Sequence, residues 1–269
     1  MSLFIESTHN PKIKEVLTLI EKPKVRREAL LFVLEGAREL TMALEGGYTP
    51  QALFYLPQII PNPCQRFHLP QPFPCYPVSS AVYKKIAYRE STEGVVAMMH
   101  QKNLDLSSLQ IPSNPLILII ESAEKPGNIG AMLRTADAAQ VDAVLVCDPF
   151  CDLYNPNLIR ASLGALFTLQ VVTCSSVEAV SWLQQNEIHI YPALLGGSNH
   201  YHCQDYRSGS ALVVGSESKG LSPVWRGAEC TAIKIPMRGA VDSLNVSVSA
   251  AILIFEAIRQ REAGKQNMI

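Results

Sequence analysis

The sequence predicts an α/β protein: a parallel sheet covered on both faces, preceded by a smaller α/β region. Three observations predict it. Near-continuous apolar runs such as LILII (116–120) and ALVVG (211–215) are those of strands buried on both faces. From residue 116 onward such runs alternate with helical patterns, as βαβ units require. Ahead of them, residues 101–115 are polar and closed by Pro112 and Pro115, which reads as a linker. The expected domains are therefore 1–100, a linker at 101–115, and 116–269.

In the first domain, Ile13, Val16, Leu17 and Ile20 predict a helix over 11–22, and Phe32 to Leu34 a strand that stops at Glu35 and Gly36. A helix with Leu40, Ala43 and Leu44 ends at Gly46 and Gly47, and Leu53 to Leu56 forms the next strand. Seven prolines between Pro57 and Pro77 break regular structure, so this stretch is a loop-bound edge. A helix over 79–87 and a strand over 94–99 complete the domain. In the second domain, strands are expected at 116–120, 143–147, 169–172, 188–194, 211–215 and 232–235, with helices at 128–139, 155–163, 176–185 and 243–261. For the last helix, Leu244, Val248, Ala251, Ile252, Phe255 and Ile258 predict the core side, with Asp242 or Ser243 as the cap. Ligands of such sheets sit at the carboxyl ends of the strands.

Composition narrows the class. With 48% hydrophobic and 17% charged residues the chain is a soluble globular type, and no apolar run approaches the roughly 20 residues that span a bilayer, so no membrane partner is expected. The start, MSLFIESTHNPKIK, lacks the basic-then-apolar order of a secretory signal, and a cytoplasmic location is expected. Seven scattered cysteines without a CxxC pair favour reduced thiols. His200, His202 and Cys203 are close in sequence, yet no second ligand pair stands at zinc spacing, so no metal is expected. The net charge of −1 points to no partner, whereas the stretch from His9 to Arg27 gathers Lys12, Lys14, Lys22, Lys24, Arg26 and Arg27 against Glu15 and Glu21. Lys12, Lys14, Arg26 and Arg27 are the candidates for phosphate contacts, with a solvated helix face as the alternative.

Three stretches carry the chemistry. After the first long strand, Pro126, Gly127 and Gly130 bracket Asn128 at a helix start, followed by Arg134 and Asp137 on one side of that helix. The three-glycine spacing of a dinucleotide fingerprint is missing. The loop GSESKGLSP contains Gly215, Glu217 and Gly220, and Leu221 stands where a P-loop needs lysine, which excludes that type of ATP site. In the third stretch, IPMRGAVDSLNVS, Ser243, Asn245 and Ser247 lie where a helix start can hold an oxygen-rich ligand.

In this order the three stretches resemble the signature motifs of the SpoU family of RNA ribose 2'-O-methyltransferases, within the SPOUT superfamily. Asn128, Gly130, Arg134, Ala136 and Ala138 match NxGxxxRxAxA. Gly215, Glu217 and Gly220 match GxExxG, and Ile235, Pro236, Met237, Gly239 and Ser243 to Ser247 match IPMxGxxxSLNVS. Arg160 to Ala165 looks like a further family element. NPKIK (10–14), FVLEGAREL (32–40) and STEGVVAM (91–98) are similar to the substrate-binding domain found on many members, although Thr92 and Glu93 stand where proline and glutamine are more usual.

The resemblance implies a domain threaded into a carboxyl-terminal trefoil knot, an S-adenosyl-L-methionine cofactor and a homodimer. It places the cofactor against Leu195, Gly196, Gly215, Ile235, Met237 and Leu244. It assigns catalysis to Asn128, Arg134, Glu217, Ser243 and Asn245. The implied function is methyl transfer to a ribose 2'-hydroxyl of structured RNA, with rRNA favoured over tRNA. tRNA ribose methylation, then base methylation or RNA binding without catalysis, are the alternatives.

Overall fold

The structure, a computed structural model, describes residues 4–87, 93–102, 104–196, 199–216, 218–227 and 230–266. The chain forms two compact units: Met1–Lys102 together with Asp152–Thr168, and Asn103–Cys151 together with Leu169–Ile269. The division is thus not purely sequential.

In the first unit, α1 (Pro11–Glu21) starts where the Asn10 side chain accepts from the Lys12 amide at 2.9 Å, and buries Ile13, Val16 and Leu19. Leu17 and Ile20 are half-buried at the border of that face. Pro23 lacks an amide to continue the ladder, so a separate helix α2 (Pro23–Ala29), absent from the sequence expectation, begins there. Then follow β1 (Leu31–Glu35), α3 (Ala37–Glu45), β2 (Pro50–Tyr55), α4 (Pro63–Arg66), β3 (Cys75–Pro77), α5 (Ser80–Ile86) and β4 (Val95–His100). The sheet order is β1-β4-β2-β3, with β4 antiparallel to both neighbours and β3 parallel to β2. The proline-rich stretch supplies only the three-residue edge strand β3, because proline cannot donate to a ladder. Ser91 and Thr92 lie outside the described residues. Glu93 accepts from the Ala37 and Arg38 amides at 2.6 and 3.1 Å, a carboxylate seated on the start of α3.

The chain continues with β5 (Leu116–Glu121), α6 (Pro126–Ala138), β6 (Ala143–Cys147), α7 (Pro156–Ser162), α8 (Ala165–Thr168), β7 (Val171–Cys174), α9 (Ser176–Gln185), β8 (His189–Pro192), β9 (Asn199–His200), β10 (Ser210–Val214), β11 (Ile233–Lys234) and α10 (Val246–Gln266). The second unit's sheet is parallel throughout, in the order β7-β6-β5-β10-β8, and β5 is buried along its whole length. α7 and α8 belong to the first unit. There Tyr154 and Phe167 stack on Phe32 with ring centroids 4.6 and 5.8 Å apart, and Tyr48 meets Phe167 edge-on at 5.1 Å.

Two expectations for the second unit are corrected. The last strand is two residues long and pairs with β9, and beside β8 the chain forms isolated bridges, Ile190 to Cys230 and, just past β8, Ala193 to Ile233, so it is not a full sixth strand. α10 starts at Val246 rather than Ser243, and it buries Val246, Ala250, Leu253, Ile254 and Ala257 against α6, β5 and β10. The stripe expected to be the core side is the outer one: Leu244, Val248 and Phe255 are 37%, 47% and 50% exposed. Ala251, Ile252 and Ile258 are half-buried. Both stripes have helical spacing, so only the neighbouring elements decide which is buried. Near the helix end, Arg261 donates to the carbonyls of Asn114, Pro115, Tyr206 and Ser208 at 2.8 to 3.0 Å, and burial pulls its pKa below the usual value.

Candidate active site

The loops that leave β8, β10 and β11 at their carboxyl ends, with the segment entering α10, enclose a cavity of about 770 Å³. All six residues expected at the cofactor, Leu195, Gly196, Gly215, Ile235, Met237 and Leu244, line it, and so does Ser243. The glycine loop fits its sequence. A Cβ on Gly215 would lie 2.6 Å from the Gly220 carbonyl oxygen, so only glycine fits. The turn closes through the Gly220 amide, which donates to the Ser216 carbonyl at 2.8 Å, with Gly220 at φ +66. Trp225 lines the cavity while fully buried, and its indole Nε1 has no hydrogen-bond partner among the described residues. Apolar walls, close-approaching backbone and several hydroxyls suit an organic ligand of cofactor size.

The starts of α6 and α10 meet beside this cavity. Asn245, not Asp242 or Ser243, caps α10: its Oδ1 accepts from the Ser247 amide at 2.9 Å and the Ser247 hydroxyl at 2.6 Å. Its Nδ2 donates to Asn128 Oδ1 at 3.3 Å, which brings two predicted residues together across 117 positions of sequence. Ser243 donates to Asp242 Oδ1 at 3.2 Å. Arg134 is exposed on α6, forms no hydrogen bond or ion pair with a described residue, Asp137 included, and does not line the cavity. Glu217 lies outside the described residues.

The basic candidates of the first unit divide. Lys12, Lys14 and Arg27 are exposed, and the Lys12 ammonium sits 4.6 Å from the Tyr76 ring centroid. Arg26 does not belong with them. It is 1% exposed, pairs with Asp152 through Nη2 at 2.6 Å and Nε at 3.2 Å, and donates Nη1 to the Leu19 and Ile20 carbonyls at 2.6 and 2.9 Å. All of its donors are turned inward, so it is a packing residue. Among the described residues no group of three or more His, Cys, Asp or Glu is placed to hold a metal ion; the His200 and His202 rings stand 5.4 Å apart.

Sequence reasoning missed two acids, Glu121 at the end of β5 and Glu124 in the loop after it, that hold the cavity's glycine loop. Glu124 Oε1 accepts from the Ser218 hydroxyl at 2.8 Å and the Ser216 hydroxyl at 3.2 Å, and these bonds hold its carboxyl below the usual range. Glu121, buried, accepts from the Ser222 hydroxyl at 2.6 Å, the Ser222 amide at 2.8 Å and the Ser176 hydroxyl at 2.8 Å. The signal was present as serines at 216, 218 and 222 facing acids at 121 and 124, but only the fold pairs the two loops.

Fold and site define an α/β protein that takes an organic ligand at the carboxyl ends of parallel strands. Comparison with known proteins narrows the class. Residues 115–255 match the SpoU rRNA Methylase family and residues 10–97 match the MRM3-like substrate binding domain. The chain belongs to the SpoU rRNA methylase family. It is 28% identical over 268 residues to the 23S rRNA (uridine(2479)-2'-O)-methyltransferase of Streptomyces viridochromogenes, covering 96% of this chain and 93% of that one. It is 29% identical over 252 residues to the 23S rRNA (guanosine(2553)-2'-O)-methyltransferase RlmP of Bacillus subtilis, covering 93% and 97%. An AdoMet-bound rRNA methyltransferase from Sinorhizobium meliloti has a similar structure, with a TM-score of 0.87, 26% identity, and coverage of 96% and 98%.

Proposed function

We propose that this chain transfers a methyl group from S-adenosylmethionine to a ribose 2'-hydroxyl of ribosomal RNA. The observation that carries the proposal is the single cavity lined by all six residues expected at the cofactor. The cofactor supplies an electrophilic methyl group on a sulfonium. Ile235 and Leu244 offer apolar walls for its adenine, Gly196 and Gly215 let backbone groups approach closely, and Trp225 Nε1 is a donor without a partner among the described residues.

The protein's share of catalysis is alignment and handling of one proton. Arg134 grips an RNA phosphate and orients the 2'-hydroxyl; a guanidinium holds its proton firmly, which makes it a poor base and a good anion clamp. Its exposure and lack of partners among the described residues support that role. Asn128 and Asn245, joined at 3.3 Å, offer amide groups to the ribose, and Ser243 offers a hydroxyl. Glu217 is proposed to order the glycine loop.

The finer features follow the same reading. Ribosomal RNA is favoured because the rRNA-modifying relatives extend over this chain's amino-terminal part as well, and Lys12, Lys14 and Arg27 are its proposed RNA contacts. The domains are proposed as 1–100 for RNA binding and 116–269 for methyl transfer, with Asp152–Thr168 packed in the first compact unit. A trefoil knot is supported by the course of α10 back across β5 and β10 and by the four carbonyls gathered by Arg261. A homodimer is supported by the outer apolar stripe of α10. The protein is proposed to act in the cytoplasm.

The test is transfer of labelled methyl groups from S-adenosylmethionine into RNA that lacks this protein's modification. Label at a linkage resistant to alkaline hydrolysis, lost in Arg134→Ala, is the expected result. Label on a base would overturn the ribose assignment.

A further inference from the structure

The cavity that receives the cofactor is more basic than the cofactor needs. Lys219, Arg226 and Lys234 line it, and none of its described lining residues is Asp or Glu. The chain as a whole carries a net charge of −1, so this concentration of cations is local. Among the described residues, Glu124 lies beside Lys219, and it is already engaged by the Ser216 and Ser218 hydroxyls. S-adenosylmethionine carries a sulfonium and an ammonium against one carboxylate and is itself a net cation. A wall of like charge is unfavourable for it at close range. A polyanion entering the same cavity reverses the sign of that interaction. Such a wall also draws a phosphate chain inward and concentrates it at the mouth.

Building on the methyl-transfer reading, we infer that Lys219 and Arg226, together with Lys234, form a phosphate-binding site, additional to the Arg134 clamp, that seats the target nucleotide of the RNA over the cofactor. Lys219 and Arg226 are exposed, and Lys234 is half-buried in β11. Their places fit the role. Lys219 sits in the turn between Gly215 and Gly220, and Arg226 ends the short 3-10 helix Pro223–Arg226. The loop that approaches the cofactor therefore also approaches the substrate. This assigns RNA contacts to the methyl-transfer unit, apart from the basic residues of α1 and α2.

The test measures RNA and cofactor binding separately, on the full-length protein. An unmodified transcript of 23S rRNA is titrated at several salt concentrations against wild type, Lys219→Ala, Arg226→Ala and the double variant. S-adenosylmethionine binding is followed by calorimetry on the same proteins. The expected result is RNA affinity about tenfold weaker for the double variant and a plot of log affinity against log salt shallower by about 0.7 to 0.9 per cation removed. Cofactor affinity should not fall, since the charges removed have the cofactor's own sign, and Lys219→Arg should restore the slope. A cofactor affinity that falls tenfold with an unchanged RNA salt slope would assign the cations to the cofactor's carboxylate and overturn the inference. No change in either would also overturn it. Because RNA binding is read without turnover, a wild type that shows the expected salt response but transfers no methyl group would remove the catalytic reading and leave the phosphate site standing.

Discussion

Two helix surfaces that each present an arginine as an RNA candidate in the sequence, that of α2 with Arg26 and that of α6 with Arg134, behave in opposite ways once folded. Arg26 and Arg134 both lie in helices and both are candidates to meet RNA. Arg26 spends its guanidinium on Asp152 and two backbone carbonyls and is 1% exposed. Arg134 is exposed and has no partner among the described residues. A cation already saturated by its own chain is structure, whereas one left unsatisfied at the edge of a site is available for a ligand.

The largest effect expected from this contrast is at Arg26. Arg26→Ala leaves the Asp152 carboxylate, whose side chain is 11% exposed, without its cation, and leaves the Leu19 and Ile20 carbonyls short of a donor. A loss of about 3 to 5 kcal/mol in unfolding free energy is expected, as for other broken buried pairs. Chemical denaturation of the variant checks it, and Arg26→Lys should recover only part, because lysine cannot make the same fork. A variant of normal stability with weakened RNA binding would restore Arg26 to the RNA surface.

Arg134→Ala should do the reverse. Methyl transfer should fall by about 100-fold or more, roughly 2.7 kcal/mol of transition-state stabilisation, while the melting temperature stays at the wild-type value. Comparing rate and melting curve of the same preparation separates the two kinds of arginine. The outer stripe of α10 gives the next effect. Phe255, 50% exposed, is proposed to be covered by a second copy of the chain. Phe255→Asp should weaken self-association about tenfold or more, read by sedimentation over a range of concentrations, at little cost to the fold of the single chain.

Much of this was legible in the residues. β5, β6 and α9 fall where their apolar patterns predicted, because their burial pattern needs no partner beyond a sheet covered on two faces. That Leu195, Gly196, Gly215, Ile235, Met237 and Leu244 line one cavity was anticipated through motifs whose residues lie far apart in sequence. The misses share one cause. The buried side of α10, the inward turn of Arg26 and the packing of Asp152–Thr168 with the first unit depend on which element lies opposite, and periodicity records only that a face is apolar or basic. The serine contacts of Glu121 and Glu124 are hidden for the same reason, since each acid reads as a solvated loop residue until β5 and β10 are neighbours.

The smallest effect comes from an ion pair that resembles Arg26–Asp152 in distance and differs in exposure. Arg207 donates Nη2 to Asp205 Oδ2 at 2.6 Å, the same distance as in the buried pair, but the two side chains are 64% and 57% exposed. The Arg207 hydrogen bonds lower the Asp205 pKa from 3.8 to about 2. A carboxyl whose folded pKa is depressed stabilises the fold above its unfolded value, and that contribution fades as the pH falls from about 4 toward 2. Solvent and salt screen it, so Asp205→Asn should cost only about 0.5 kcal/mol at neutral pH. The variant and wild type should converge in stability as the pH approaches 2, and salt near 1 M should erase the difference at neutral pH. Urea melts at three pH values check this, and a neutral-pH loss as large as that of Arg26→Ala would show that bond length, rather than burial, sets the worth of these pairs.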